Sequence, residues 1–182
     1  MTIKESVLKG VYLVESPIRE DERGFLKELI RKNELERSLD FSFNLAQLNH
    51  SRSKKNSLRG IHVSPCSKII YFINGNVQSV IVDLKRNSPT FGKHLSLVIG
   101  EENMTVIIIP PYCGNSYLTL SESADYLYLL DESWQPGKEY GIIWNDPSLN
   151  INWKIKGDPI LSQKDKQNLS LNDYLRKMGF RL

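Results

Sequence analysis

The chain has 182 residues, with 24 Lys and Arg against 21 Asp and Glu and a formal charge of +3 at neutral pH. That length fits one ordinary domain, residues 1–182, which can bury a core without covalent staples, and the near-even charge leaves no footprint for nucleic acid. Two cysteines, Cys66 and Cys113, lie far apart and form no CxxC pair, which argues against a disulfide framework or a zinc site and for a reducing compartment.

The opening stretch MTIKESVLKG lacks an apolar h-region, and no run approaches eighteen apolar residues. Neither a secretory leader nor a membrane span is expected, and the cytoplasm is the expected location. VYLVES (11–16), GFLKELI (24–30) and FNLAQLNHS (43–51) read as strands, with a short helix over KNELERSL (32–39). SRSKKNSLR (51–59) reads as a solvated basic loop; the sharper reading is a contact for an anionic ligand such as a diphosphate. KIIYFINGNVQSVIVDL (68–84) alternates on both sides of Asn74-Gly75 and predicts a two-stranded hairpin. HLSLVI (94–99), MTVIII (104–109), YLYLL (126–130) and GIIW (141–144) add strands spaced too closely for crossover helices, so the sheet should be mostly antiparallel. Near the end, Ser170 followed by Asp173 can cap a helix over LNDYLRKMGF, with Leu171, Leu175 and Met178 on one face. The expected fold class is therefore all-β, a jelly roll or related barrel with short peripheral helices, a C-terminal helix and a central cavity.

Chemistry in such a cavity must come from polar residues on the inward register of the strands. SLRGIHVSP (57–65) offers a lone histidine, His62, without the H-x-H of a barrel metal site or the Gly-x-Ser-x-Gly of a serine hydrolase. Lys68 leads an otherwise apolar face with Ile70 and Phe72, and by itself such a lysine belongs at a rim with its ammonium in water. Tyr126 and Tyr128 share a face with Leu130 and fit an ordinary core. Asp165 fits a turn or cap. None of these residues is decisive singly.

Taken together, DERGFLKE (21–28), NHSRSKKNSLRGIH (49–62), VDLKRNSPTFGK (82–93), GEEN (100–103), GIIWNDPSLNINW (141–153) and LSQKD (161–165) occur in the order and spacing of one family. From about Val11 to Asp165 the sequence resembles the dTDP-4-dehydrorhamnose 3,5-epimerases, the sugar-nucleotide epimerases of the cupin superfamily. The resemblance implies a cupin-type jelly roll that acts on a nucleotide-diphospho-4-keto-sugar. Such an enzyme takes a proton from a carbon beside the ketone and returns one to the opposite face, which needs a base, an acid and a partner for the enolate oxygen. It implies His62 as the base, held in its basic tautomer by Asp165, with Lys68 on the enolate and Tyr128 as the acid. No metal and no cofactor are implied.

The same resemblance implies ligand contacts from Arg23, Glu28, Gln47, Asn49, Arg59 and Glu139, the arginines suited to a diphosphate. It also implies a homodimer with exchanged N-terminal strands, since the DERG segment commonly serves a neighbouring subunit. Four positions depart from the pattern. Arg19 replaces an aromatic that stacks on thymine, Asn115 in YCGNSY replaces a histidine near the sugar, Ser64 replaces a glutamine, and Trp134 stands where a tyrosine is frequent. These departures point to an altered substrate, a GDP-4-keto-heptose or a dTDP-4-keto-6-deoxyhexose, inverted at C3, C5 or both for a bacterial capsule or other surface polysaccharide. The alternatives are a sugar-nucleotide 3,4-ketoisomerase and a catalytically silent sugar-nucleotide binding cupin.

Overall fold

Side chains alternate across a strand, so a strand apolar at nearly every position must be covered on both faces. Strands of this kind, Lys68–Asn74 and Val106–Ile109 among them, set the plan of the computed structural model, which describes residues 1–180. In chain order the strands are β1 (Thr2–Glu5), β2 (Tyr12–Glu15), β3 (Ile18–Asp21), β4 (Gly24–Lys27), β5 (Gln47–Lys54), β6 (Leu58–Val63), β7 (Lys68–Asn74), β8 (Asn76–Asp83), β9 (His94–Gly100), β10 (Val106–Ile109), β11 (Cys113–Thr119), β12 (Ser123–Leu130) and β13 (Tyr140–Gly141). A helix, α1, spans Lys32–Ser38, and a second, α2, spans Leu171–Lys177. The strands form a six-stranded sheet, β1-β2-β10-β7-β12-β5, and a five-stranded sheet, β13-β6-β11-β8-β9, with β3 and β4 paired apart from both. Every strand-to-strand pairing is antiparallel, as the short connections require.

The two large sheets face one another across a shared core. Ile70, Phe72, Ile107 and Tyr126 from the first meet Val77, Ile81, Ile99 and Tyr117 from the second. Each aliphatic side chain buried there contributes about 1.5–3 kcal/mol of transfer free energy. The outer face of the five-stranded sheet is covered by the C-terminal segment, where Leu149, Leu171, Tyr174 and Leu175 pack on Ile61, Val63, Val80 and Val82. Helix α2 docks there with the expected cap: Asp173 donates its backbone N–H to Ser170 Oγ at 3.1 Å. On the opposite side Leu35 of α1 joins Tyr12, Val14, Ile69 and Tyr71 over the six-stranded sheet. Among the described residues no helix is long and apolar enough to cross a membrane.

The expected jelly roll is present, but the expected hairpin at 68–84 is not. β7 pairs with β10 and β12, whereas β8 pairs with β11 and β9, so the chain crosses from one sheet to the other at Asn74-Gly75. Both strands are buried along most of their length, which a two-stranded ribbon with one wet face could not satisfy. Gly75 makes the corner with φ near +75°, and a Cβ on it would run into the Ser123 carbonyl oxygen. The same dipeptide serves a hairpin or a corner, and only the partners of the strands distinguish them.

The basic run at 51–59 is likewise not a solvated loop. Ser51–Lys54 complete β5, Lys55-Asn56 make a turn, and Leu58 and Arg59 open β6. GIIW gives only the second residue of the short β13 and an isolated bridge at Ile142, while β11 runs through CGNSYLT, a stretch whose glycine and asparagine hide its strand character.

Candidate active site

Inward-facing residues near one end of the barrel line a cavity of about 340 Å³. β6 of the five-stranded sheet supplies Arg59 and His62, and its neighbour β11 supplies Asn115, which pairs in register with His62. Gly60 lets these strands approach: its φ is +112°, and a Cβ there would lie 2.6 Å from the Asn115 carbonyl oxygen. Across the cavity, Lys68 on β7 and Tyr128 on β12 belong to the six-stranded sheet, and Gln47 and Asn49 belong to its edge strand β5. The two halves of the site thus come from facing sheets.

His62 is part-buried, and its Nε2 lies 2.6 Å from Asp165 Oδ1. Asp165 opens a 3-10 turn after the last strand and is itself buried. Burial pushes its carboxyl up, but the His62 imidazole and the donors of Ser162 and Asn168 outweigh that cost and hold it below the ordinary carboxylate range. An ionised Asp165 only accepts hydrogen bonds, so Nε2 carries the proton and donates it. In the neutral ring, Nδ1 then holds the basic lone pair.

Lys68 is buried, not at a wet rim. Desolvation pulls its ammonium below the usual lysine range, opposed chiefly by Glu139, whose Oε2 lies 3.9 Å from Nζ. Glu139 sits on the loop that leads into β13, and its Oε1 accepts a 2.7 Å hydrogen bond from Lys164. Tyr128 is half-buried and stacks on Tyr126, with ring centroids 4.8 Å apart. Desolvation, then the Glu139 charge, raises its hydroxyl above the usual phenol value, so it stays protonated and able to donate.

Several side chains are already engaged. Gln47 Nε2 donates to Asn49 Oδ1 at 2.9 Å while Gln47 Oε1 accepts the Trp134 backbone N–H at 2.8 Å. Asn49 Nδ2 is buried without a partner. Asn115 Nδ2 donates to the Tyr126 hydroxyl at 2.8 Å, and Asn115 Oδ1 is buried with nothing donating to it. Arg59 Nε donates to Ser53 Oγ at 2.9 Å. The Trp134 ring is exposed at the mouth. A donor and an acceptor left unspent against a cavity mark positions where a polar ligand would complete the hydrogen bonding.

Three of the sequence candidates are elsewhere. Arg19, Arg23 and Glu28 lie on or beside the β3–β4 pair, outside the cavity of their own chain. Arg23 pairs with Asp21 at 2.6 Å, and Glu28 with Arg31 at 2.8 Å. Conversely, Ser51, Tyr117 and Cys66 line the cavity although sequence reasoning did not single them out. Ser51 follows from simple alternation with Asn49 once β5 is extended, whereas Cys66 sits on the connection before β7 and carries no periodic signal.

The family model described as dTDP-4-dehydrorhamnose 3,5-epimerase matches residues 5–173. The chain belongs to the dTDP-4-dehydrorhamnose 3,5-epimerase family. Members of this family are isomerases, and so is this chain. It is 36% identical over 169 residues to the dTDP-4-dehydrorhamnose 3,5-epimerase of Pseudomonas aeruginosa, covering 91% of this chain and 93% of that one. Among solved structures, a Legionella pneumophila 3,5-epimerase in complex with dTDP-4-keto-L-rhamnose superposes with a TM-score of 0.89 at 32% identity, covering 94% of this chain and 93% of that one. A 3'-monoepimerase from Streptomyces bikiniensis in complex with dTDP-quinovose gives 0.89 at 28% identity, covering 96% and 89%. The 3,5-epimerase family accounts for the jelly roll expected from the strand pattern, and both solved relatives hold a nucleotide sugar.

Proposed function

We propose that this chain inverts a carbon beside the ketone of a nucleotide-diphospho-4-keto-sugar, with dTDP-4-keto-6-deoxyhexoses the first substrates to examine. His62 Nδ1 takes the proton, and Asp165 holds the ring in the tautomer that makes Nδ1 basic. The Lys68 ammonium meets the oxygen that becomes negative as the enolate forms. Tyr128, from the facing sheet, returns a proton to the other face of the ring. The observation that carries this reading is the hydrogen bond between His62 and the buried Asp165, with His62 set across one cavity from Lys68 and Tyr128. Incubation with dTDP-4-keto-6-deoxyglucose in D2O tests it: deuterium should enter C3, C5 or both. Binding without exchange at either carbon would favour a silent binding protein, and a product with the carbonyl at C3 would favour a ketoisomerase.

A second reading of the substrate rests on Arg19 and Asn115. A guanidinium can stack on a purine, and the unpaired Asn115 Oδ1 can accept from an extra hydroxyl on a longer sugar, as in a GDP-4-keto-heptose destined for a capsule or other surface polysaccharide. Isothermal titration with GDP and dTDP separates the two: tighter GDP is the expected result of this reading, and a clear preference for dTDP removes it.

We infer further that Arg19, Arg23 and Glu28 serve the cavity of a second copy. The β3–β4 pair is exposed at all but one position and shows Ile18 and Phe25 on one face and Leu26 on the other, apolar side chains on an otherwise unpartnered ribbon. Sedimentation at working concentration should give twice the chain mass, and Phe25→Lys should lower it. A wild-type protein that sediments at the mass of one chain would overturn the exchange.

A further inference from the structure

Lys68 poses an electrostatic problem that the reaction scheme does not by itself solve. Its side chain is 8% exposed, so water does little to stabilise the ammonium, and a neutral amine could not oppose the negative charge of an enolate. Charge in that setting needs a counter-ion. The groups around it come from several elements. His62 reaches the cavity from β6, Tyr128 from β12, and Cys66 from the connection before β7. Asp131, at the end of β12, is occupied by the backbone N–H of Ser67 at 2.8 Å. Only Glu139 forms an ion pair with Lys68 among the described residues.

Glu139 is well placed and is not free to leave. Its side chain is 16% exposed, and its two oxygens are divided between lysines: Oε2 faces Lys68 at 3.9 Å and Oε1 takes the 2.7 Å hydrogen bond from Lys164. Burial pushes the Glu139 carboxyl up, but His62 and the two lysines pull it below its ordinary value, so it is an anion at neutral pH. Lys164 stands one residue before Asp165, so the short LSQKD segment holds both the partner of the base and the anchor of this carboxylate.

We infer that Glu139 is a positioning residue that keeps Lys68 charged, and that Lys164 fixes Glu139 in the orientation this requires. The role of Lys68 on the enolate rests on the epimerase reading above; the ion-pair role of Glu139 does not, and the two are tested separately.

The test is an NMR titration of the ligand-free protein labelled with 13C and 15N at lysine, with the Lys68 side-chain signal identified by its loss in Lys68→Met. The expected midpoints fall in the order wild type, Glu139→Asp, Glu139→Gln, because the shorter carboxylate keeps the charge but withdraws it. Removal of an opposite charge at this range shifts a midpoint by roughly one to three pH units, so Glu139→Gln should lose at least about one. Equal midpoints in variants that keep the native melting transition overturn the inference. If Glu139→Gln does not fold, Glu139→Asp against wild type carries the comparison. The second readout is the rate of deuterium exchange at C3 and C5 against pH. Its alkaline limb should move to lower pH together with the Lys68 midpoint. A midpoint that falls while the limb stays in place leaves Glu139 as the counter-ion and overturns the assignment of Lys68 to the enolate.

Discussion

Replacing His62 by Asn is expected to remove deuterium incorporation at C3 and C5 together, with a loss of about a hundredfold to ten-thousandfold in rate. At 1.36 kcal/mol per tenfold, that is about 3–5 kcal/mol of barrier. The loss should be common to both carbons because, among the described residues, His62 is the one imidazole lining the cavity, and Asp165 behind it orients the ring. Asparagine occupies less volume and cannot take up a proton, so binding of dTDP should persist and separate lost chemistry from lost fold. Exchange that survives at one carbon in His62→Asn would show that a second base serves that position.

Replacing Tyr128 by Phe should give a different signature. The base can still remove a proton and, after exchanging with solvent, return deuterium to the face from which it came. Exchange should therefore continue while inversion falls by about a hundredfold or more. The phenyl ring keeps the stack on Tyr126 at 4.8 Å, so the change removes one hydroxyl and little packing. A Tyr128→Phe enzyme that inverts at the wild-type rate assigns the returning proton to another donor.

Much of this arrangement was legible before any coordinates. Alternation in IIYFIN and YLYLL identified the inward register, and on that register Lys68 and Tyr128 do line the cavity. The tie between His62 and Asp165 spans 103 positions and carries no local signal; only the shared order of motifs pointed to it. Pairing of strands was less readable than their existence. The run at 68–84 looks the same whether its two halves pair with one another or with β12 and β11, because hydrophobic alternation records burial and not the identity of the neighbour. The β3–β4 ribbon fails in the opposite way. DERG is legible as a motif of the family, yet among the described residues Arg23 forms its ion pair with Asp21, and nothing in one chain says which surface the ribbon meets.

The corner at Gly75 matters beyond topology. It sends β7 and β8 to opposite walls, and with them go the supports of the two groups proposed to transfer protons: Tyr128 rests on the strand beside β7, and His62 on the sheet that contains β8. Between those walls lie Phe72, Ile81 and Tyr117 of the shared core. The thickness of that hydrocarbon layer therefore acts as a ruler for the distance over which a proton must be handed across the sugar. Trimming Ile81 to Val, or swelling it to Phe, would reset the ruler. The expected trace of such a change is stereochemical: a shifted ratio of inversion to exchange, in a molecule whose His62, Asp165, Lys68 and Tyr128 are all intact.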